Sequence, residues 1–164
     1  MLKCLQGSKD IQMNCASWGE FEQAMPELAA FGRDRLDGKV SYLATVRKNG
    51  QPRAHPVTPI VGGGYCFIFV EPSSPKVHDL MENGHFCLHC AMNDSSGSSG
   101  EFQVTGVVRQ IEESELRSEA ESISSFRPSA RYLLFELRLA EVISTSYLGG
   151  RPSRHKWVQT ADAG

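Results

Sequence analysis

The fold is decided by residues 40–57, VSYLATVRKNGQPRAHPV. Apolar and polar residues alternate from Val40 to Arg47, a period of two that is typical of a β-strand with one buried face. Lys48-Asn49-Gly50 then favours a hairpin turn, because Asn-Gly readily adopts the positive φ angles of tight turns. This stretch therefore predicts two antiparallel strands joined by a short turn.

The second of these strands is predicted over Gln51–Ile60 and carries Pro52, Pro56 and Pro59. Proline has no amide hydrogen to donate to a neighbouring strand, so such a segment is expected at a sheet edge, or kinked or bulged. Part of its backbone is then free to contact something other than a strand.

Outside this hairpin, the sequence predicts a single domain over 1–164 with a first helix at 17–36, opened by a capping box of Ser17 and Glu20. Further strands are predicted at 65–70, 85–91, 101–111 and 132–147, helices at 75–83 and 113–125, a polar loop at 93–100, and a basic tail at 148–164. The order contains hairpins and no regular β-α-β alternation, which indicates a mainly β fold with flanking helices, a six-stranded antiparallel barrel over 40–147.

Composition limits the possible partners. The 164 residues contain 17 Lys and Arg against 19 Asp and Glu, a formal net charge of −2. We therefore expect neither a nucleic-acid nor a membrane partner, because no overall basic field exists to attract either. Residues 1–16 lack the apolar core of a signal peptide, and five cysteines form no regular disulfide spacing, so a cytoplasmic protein is expected.

The junction Ser73-Ser74-Pro75-Lys76 opens the short helix predicted at 75–83. A helix start presents unpaired amide donors and a partial positive charge, and here hydroxyls and an ammonium group are added. The junction is therefore a candidate phosphate site. The alternative is an ordinary capped helix with a surface lysine.

Arg53, in the middle of the proline-containing strand, is a candidate partner for that site. A guanidinium group binds phosphate through a planar pair of donors. The alternative is an arginine on the solvent side of an edge strand.

These segments together resemble the pyridoxamine 5′-phosphate oxidase-like, FMN-binding split-barrel superfamily over about residues 40–111. The resemblance is carried by Tyr42–Val46, Asn49–Val57, Phe67–Val70, Ser74–Lys76 with Leu80, and Phe102–Gly106.

The resemblance implies a split barrel that forms a homodimer, with one FMN in each of two clefts at the interface. It places Arg53, Ser74 and Lys76 at the FMN phosphate. The remaining implied contacts are the backbone of Ala54, His55 and Pro56 beside the ring system, and Phe69 and Val70 lining the cofactor. Pro75 stands where the oxidases usually have a basic residue, which removes one charge from the phosphate site.

The roles of His55 and Trp157 stay open. His55 either acts as an acid or base beside the flavin or only donates a hydrogen bond. Trp157, beyond the pair Gly149-Gly150, either contacts cofactor or substrate from the partner subunit or packs at the dimer interface in a solvated tail.

We expect no metal site at the cluster of His85, Cys87, His89 and Cys90. On a strand the first three share one face and Cys90 points to the other, and no second pair exists to complete a tetrahedral zinc site.

The sequence thus predicts a cytoplasmic, homodimeric, FMN-dependent oxidoreductase acting on a small-molecule substrate or electron donor. The alternative is a binding protein without turnover that holds FMN, deazaflavin or haem. The histidines and cysteines of 85–90 favour haem among these ligands.

Overall fold

The computed structural model describes residues 14–160, which form four helices and eight strands. The helices are α1 (Trp18–Ala24), α2 (Pro26–Leu36), α3 (Pro75–Glu82) and α4 (Ser114–Ile123). The strands are β1 (Ser41–Val46), β2 (Pro52–Val57), β3 (Ile60–Gly62), β4 (Tyr65–Val70), β5 (His85–Cys90), β6 (Glu101–Ile111), β7 (Leu133–Leu148) and β8 (Arg151–Val158).

The first predicted helix is in fact two helices. The capping box is present, with the amide of Glu20 donating to Ser17 Oγ and the amide of Ser17 donating to the Glu20 carboxylate. The prediction of one helix over 17–36 is wrong because Pro26 has no amide hydrogen and its ring clashes with the preceding turn. The chain therefore breaks at Met25, and Pro26 becomes the first residue of α2.

The strands form one antiparallel sheet in the order β2-β1-β5-β6-β7-β4-β3, with β8 beside β7. The prediction of a mainly β, antiparallel split barrel with flanking helices is confirmed, and the sheet does not close. Eight strands stand where six were predicted. The predicted strand over 51–60 divides at Thr58-Pro59, so that β2 pairs with β1 while β3 pairs with β4 at the other end of the sheet.

The tail supplies the other additional strand. Gly149 and Gly150 have φ values of 60° and 77°. Two positive φ angles make the two-residue turn that matches strand twist. Leu148 and Arg151 pair directly across it. The basic tail predicted over 148–164 thus forms, over 151–158, a strand paired with β7 whose residues are mostly exposed. Residues 161–164, like 1–13, lie outside the described chain.

The core lies between the inner face of the sheet and the N-terminal helices. Trp18 and Phe21 of α1 meet edge to face, with ring centroids 5.3 Å apart, and Phe102 of β6 lies beside Trp18. Helix α2 approaches closely because of Gly32: a Cβ atom there would lie 2.3 Å from Cζ of Phe102. Glycine thus allows the ring to sit directly against the helix.

The outer face of the sheet has two parts. Helix α4 covers one part, where Ala120 packs with Phe67, Ile111 and Leu134. We call the other part the open face. One row of paired residues runs across it over six strands: Pro56, Tyr42, His89, Gln103, Ile143 and Lys156. Tyr42 is 52% exposed there.

None of the helices in the described part of the chain has the length and apolar character needed to cross a membrane.

Candidate functional site

Strand β2 lies at one end of the sheet and pairs only with β1 among the described strands. Its side chains alternate, so Arg53 and His55 turn toward the barrel interior while Ala54 and Pro56 are exposed on the open face. The prediction of an edge strand is therefore confirmed.

Asp79 of α3 holds the guanidinium group of Arg53. The Nε atom of Arg53 donates to Asp79 Oδ2 at 2.9 Å, and the hydroxyl of Thr45 on β1 donates to the same oxygen at 2.7 Å. Asp79 is only 5% exposed. Burial alone would raise the pKa of this carboxyl, but the hydrogen bonds from Thr45 and Arg53 outweigh burial and lower it. Asp79 is thus a fixed anion that joins α3 to β1 and β2.

The start of α3 carries the second cationic side chain. Ser74 is the N-cap residue and Pro75 the first residue of the helix, as predicted. The Ser74 side chain does not cap a backbone amide; its Oγ instead accepts a hydrogen bond from Lys76 Nζ at 3.1 Å. Burial lowers the pKa of Lys76. Because Lys76 and Asp79 lie about one turn apart, the Arg53–Asp79 ion pair brings Arg53 beside this helix start.

His55 completes a group that we call the β2–α3 cluster: Arg53, His55, Ser74, Lys76 and Asp79. Its Nε2 atom is enclosed and makes no hydrogen bond with any residue of 14–160. Burial lowers the pKa of His55, and the positive charges of Lys76 and Arg53 lower it further, against an opposing effect of Asp79. A neutral imidazole therefore stands among two cations and one anion.

The β2–α3 cluster fits a phosphate group. With His55 neutral, its charges sum to one net positive charge. Arg53 uses Nε for Asp79, and within the described chain its two terminal nitrogens have no acceptor. The enclosed Nε2 of His55 is likewise without a partner. These are donors and charges that an incoming phosphate can satisfy.

Sequence reasoning missed Asp79 and Thr45. An aspartate in a short polar helix reads as a surface charge, and a threonine in a strand reads as ordinary β-sheet composition. The available signal was position: Asp79 follows Val77 and precedes Leu80, both buried, on the side of α3 that faces the sheet.

The structure separates the other predicted cofactor contacts from this cluster. Val70 is 1% exposed and its side chain belongs to the core. Phe69 turns to the outer face, where the guanidinium group of Arg117 lies 5.3 Å from its ring centroid and Phe126 meets it edge to face. Of Val70, only the backbone is therefore available to a bound molecule.

Trp157 lies on β8, which is separated from β2 by four strands of the sheet. Its ring centroid is 5.0 Å from that of Phe21, and the residue pairs with Val142. A single chain thus does not bring Trp157 to the β2–α3 cluster.

Strand β5 places Cys87 and His89 on the open face and Cys90 on the inner face, as the alternation predicts. The thiol of Cys90 accepts hydrogen bonds from the amide of Phe102 and from Arg35. Hydrogen bonding with Cys90 raises the pKa of His89 to about 8. Between residues 14 and 160, no three histidine, cysteine or acidic side chains are arranged to hold a metal ion.

Comparison with known proteins identifies the family. The family model described as pyridoxamine 5′-phosphate oxidase matches residues 27–146. A search of curated proteins finds no match to this sequence.

Solved structures share the fold at low sequence identity. PhzG from Burkholderia lata 383, in complex with tetrahydrophenazine-1-carboxylic acid, is 14% identical, with a TM-score of 0.63 over 95% of this chain and 96% of PhzG. A haem-binding protein from Mycobacterium smegmatis is 18% identical, with a TM-score of 0.59. The match covers 89% of this chain but only 59% of that protein. An F420 reductase is 15% identical, with a TM-score of 0.53 over 67% of this chain and 94% of the reductase.

These likenesses bear on the fold, whereas the sequence match covers most of the chain and includes both β2 and α3. The chain therefore belongs to the pyridoxamine 5′-phosphate oxidase family.

Proposed function

We propose that this protein is an FMN-dependent oxidoreductase in which two copies of the chain enclose the cofactor. The observation that carries the proposal is the β2–α3 cluster, where Arg53 and Lys76 meet at the start of a helix whose Ser74 side chain caps no amide. FMN would supply the redox chemistry, by transfer of hydride or electrons through its ring system.

The residues of the chain bind and orient the cofactor. Arg53, with its Nε held by Asp79, would offer its remaining donors to the phosphate, together with Lys76 and Ser74. The backbone of Ala54 to Pro56 lies at an exposed edge, where a flat ring can approach it.

The second wall of the cleft is assigned to the partner subunit. The open face extends over six strands and exposes Tyr42, and Trp157 lies far from the cluster within its own chain. A second copy docked on the open face would cover this surface and bring its own β8 toward the first copy's cofactor. The Trp157 side chain itself packs against Phe21 of its own chain, on the side of β8 opposite the open face.

A binding protein without turnover is the second candidate. The mycobacterial relative by fold is a haem-binding protein. In the present chain, His85 is exposed and Cys87 and His89 are half-buried on the same strand. These groups favour haem over deazaflavin as the alternative ligand.

The visible spectrum of the purified protein tests the proposal. Flavin absorbance, retained through gel filtration or restored by added FMN, is expected, and anaerobic NADH or NADPH should bleach it. A colourless protein that does not bind FMN would contradict the proposal, and a Soret band would select haem. If neither NADH nor NADPH bleaches the bound flavin, the result would favour a binding protein without turnover.

The double variant Arg53→Ala/Lys76→Ala tests the phosphate contacts. It should lose FMN while keeping its circular dichroism spectrum. The matched control is Arg47→Ala/Lys48→Ala, which removes two exposed cations from the neighbouring turn and should leave FMN binding unchanged. Unchanged FMN affinity in the first variant would contradict the assigned phosphate site.

A further inference from the structure

We propose that the imidazole of His55 is part of the phosphate site and takes up a proton when a phosphate monoester dianion binds between Arg53 and Lys76. The inference rests on the proposed function and assigns the His55 side chain a role in addition to the backbone contact that the family resemblance implies.

The position of the ring is the first observation. His55 follows Arg53 by two residues on β2, so both side chains project from the same face of the strand. The charged groups that act on the ring are Lys76 and Asp79 of α3 and Arg53 of β2. The ring therefore stands inside the group of charges that the phosphate would join.

The unpaired Nε2 atom is the second observation. A protonated imidazole carries N–H donors at both ring nitrogens. With Nε2 enclosed and without an acceptor in the described chain, protonation leaves a buried donor unpaired, which costs free energy. An anion placed beside Arg53 and Lys76 supplies the missing acceptor.

The charge balance gives the direction of the effect. Arg53, Lys76 and Asp79 sum to one positive charge, and a phosphate dianion changes this sum to one negative charge. A proton on His55 returns it to zero. Because the pKa of His55 is lowered in the free protein and the anion raises it, binding consumes a proton between the two values.

This balance also defines the ligand class. A terminal phosphate monoester carries close to two negative charges at neutral pH, whereas a phosphodiester carries one and riboflavin none. The site should therefore link proton uptake to FMN and not to riboflavin.

Nuclear magnetic resonance of the unaltered protein provides the direct test. The histidine ring signals are titrated alone, with riboflavin and with FMN. The pKa of His55 should rise by about one unit or more with FMN and stay unchanged with riboflavin. An unchanged His55 in the FMN complex would overturn the inference.

Flavin fluorescence quenching gives a second readout. Between the pKa of His55 in the free protein and its higher value in the FMN complex, FMN affinity should fall with pH by up to about tenfold per unit relative to His55→Gln. Riboflavin affinity should stay flat. His55→Gln should remove the slope, and His78→Gln should keep it. The same slope in His55→Gln would also overturn the inference.

The phosphate site and the role of His55 are tested by different outcomes. Equal affinities for FMN and riboflavin would contradict the phosphate site, and with it this inference. Stronger binding of FMN with no proton uptake would overturn only the role of His55.

Discussion

Arg53 Nε donates a hydrogen bond to the nearly buried Asp79 Oδ2 at 2.9 Å, which fixes the guanidinium group of an edge strand against a helix. One donor of Arg53 is thereby used inside the protein. The two terminal nitrogens are left to face a ligand. Asp79 thus orients Arg53, but it also neutralises part of the positive charge that the guanidinium group offers to a ligand.

Substitution of Asp79 separates orientation from charge. Asp79→Ala removes the acceptor for Arg53 and should lower FMN affinity about tenfold, the order expected for one hydrogen bond to a charged group. Asp79→Asn keeps an acceptor and removes the negative charge, so it should bind FMN at least as well as the unaltered protein. Fluorescence titration with FMN and riboflavin measures both.

Glu82→Ala is the control for that comparison, because Glu82 is an exposed acid on the same helix. It should leave the ratio of FMN to riboflavin affinity unchanged. If Asp79→Ala strengthens FMN binding as much as Asp79→Asn does, Asp79 acts only through its charge and the orientation argument is wrong.

The same carboxylate predicts an acid-labile fold. The pKa of Asp79 is lower in the folded protein than in the unfolded chain. Its contribution to stability is therefore complete above its ordinary pKa of about 3.9 and is lost as the pH falls through the folded value. Urea unfolding at a series of pH values should show this loss.

Asp79→Asn should reduce that pH dependence below about pH 4, since the amide does not titrate. Stability curves of equal slope for the two proteins would show that other carboxyl groups control the acid transition.

The contact of Gly32 with Phe102 predicts a steric limit in the core. Alanine at position 32 would place a Cβ atom 2.3 Å from the Phe102 ring. Gly32→Ala should destabilise the protein by about 1 to 3 kcal/mol, even though alanine favours a helix by about 1 kcal/mol. Thermal unfolding measures the net effect.

Phe102→Leu supplies the matching test of that clash. It should cost less in the Gly32→Ala background than in the unaltered protein, because the smaller side chain makes room for the new methyl group. A more stable Gly32→Ala protein would rule out the close contact.

The open face predicts that charge will disrupt dimerisation. Tyr42→Glu introduces a carboxylate in the middle of the surface assigned to the second copy, where burial without a partner is costly. Light scattering should report a dimer for the unaltered protein and a monomer for the variant, with weaker FMN retention. Met81→Glu, at a 40% exposed apolar residue on α3, should remain dimeric.

A dimer that survives Tyr42→Glu would place the interface elsewhere.

Much of the fold was predictable because its signals are local. The capping box at Ser17, the first strand and the Asn-Gly turn are each formed by neighbouring residues, and each is found where the sequence placed it. The buried face of β1 is the reverse of the expected one, because Ser41, Leu43 and Thr45 turn inward while Tyr42 is exposed. The errors arose where a distant contact decided the outcome. Strand β3 leaves β2 because β4 pairs with it, and β8 forms because β7 is long enough to pair with it.

The candidate site shows the same division. Arg53, Ser74 and Lys76 were found from their residue types and from the start of a helix. Asp79 was not, because its importance comes from Thr45 and Arg53, which are 34 and 26 residues away in the sequence. The enclosed Nε2 of His55 likewise depends on tertiary packing alone.

The sixteen-residue strand β7 is the common neighbour of β4, β6 and β8. Until β7 is in place, no strand lies between β4 and β6. Phe67 on β4, for example, pairs with Glu136, which lies 69 residues further along the chain. Pairing over such sequence distances is slow, since the connecting loop must first be ordered. During synthesis the barrel therefore assembles late, and the exposed edges of β4 and β6 make the interval before β7 emerges the time at which this chain is most prone to aggregate.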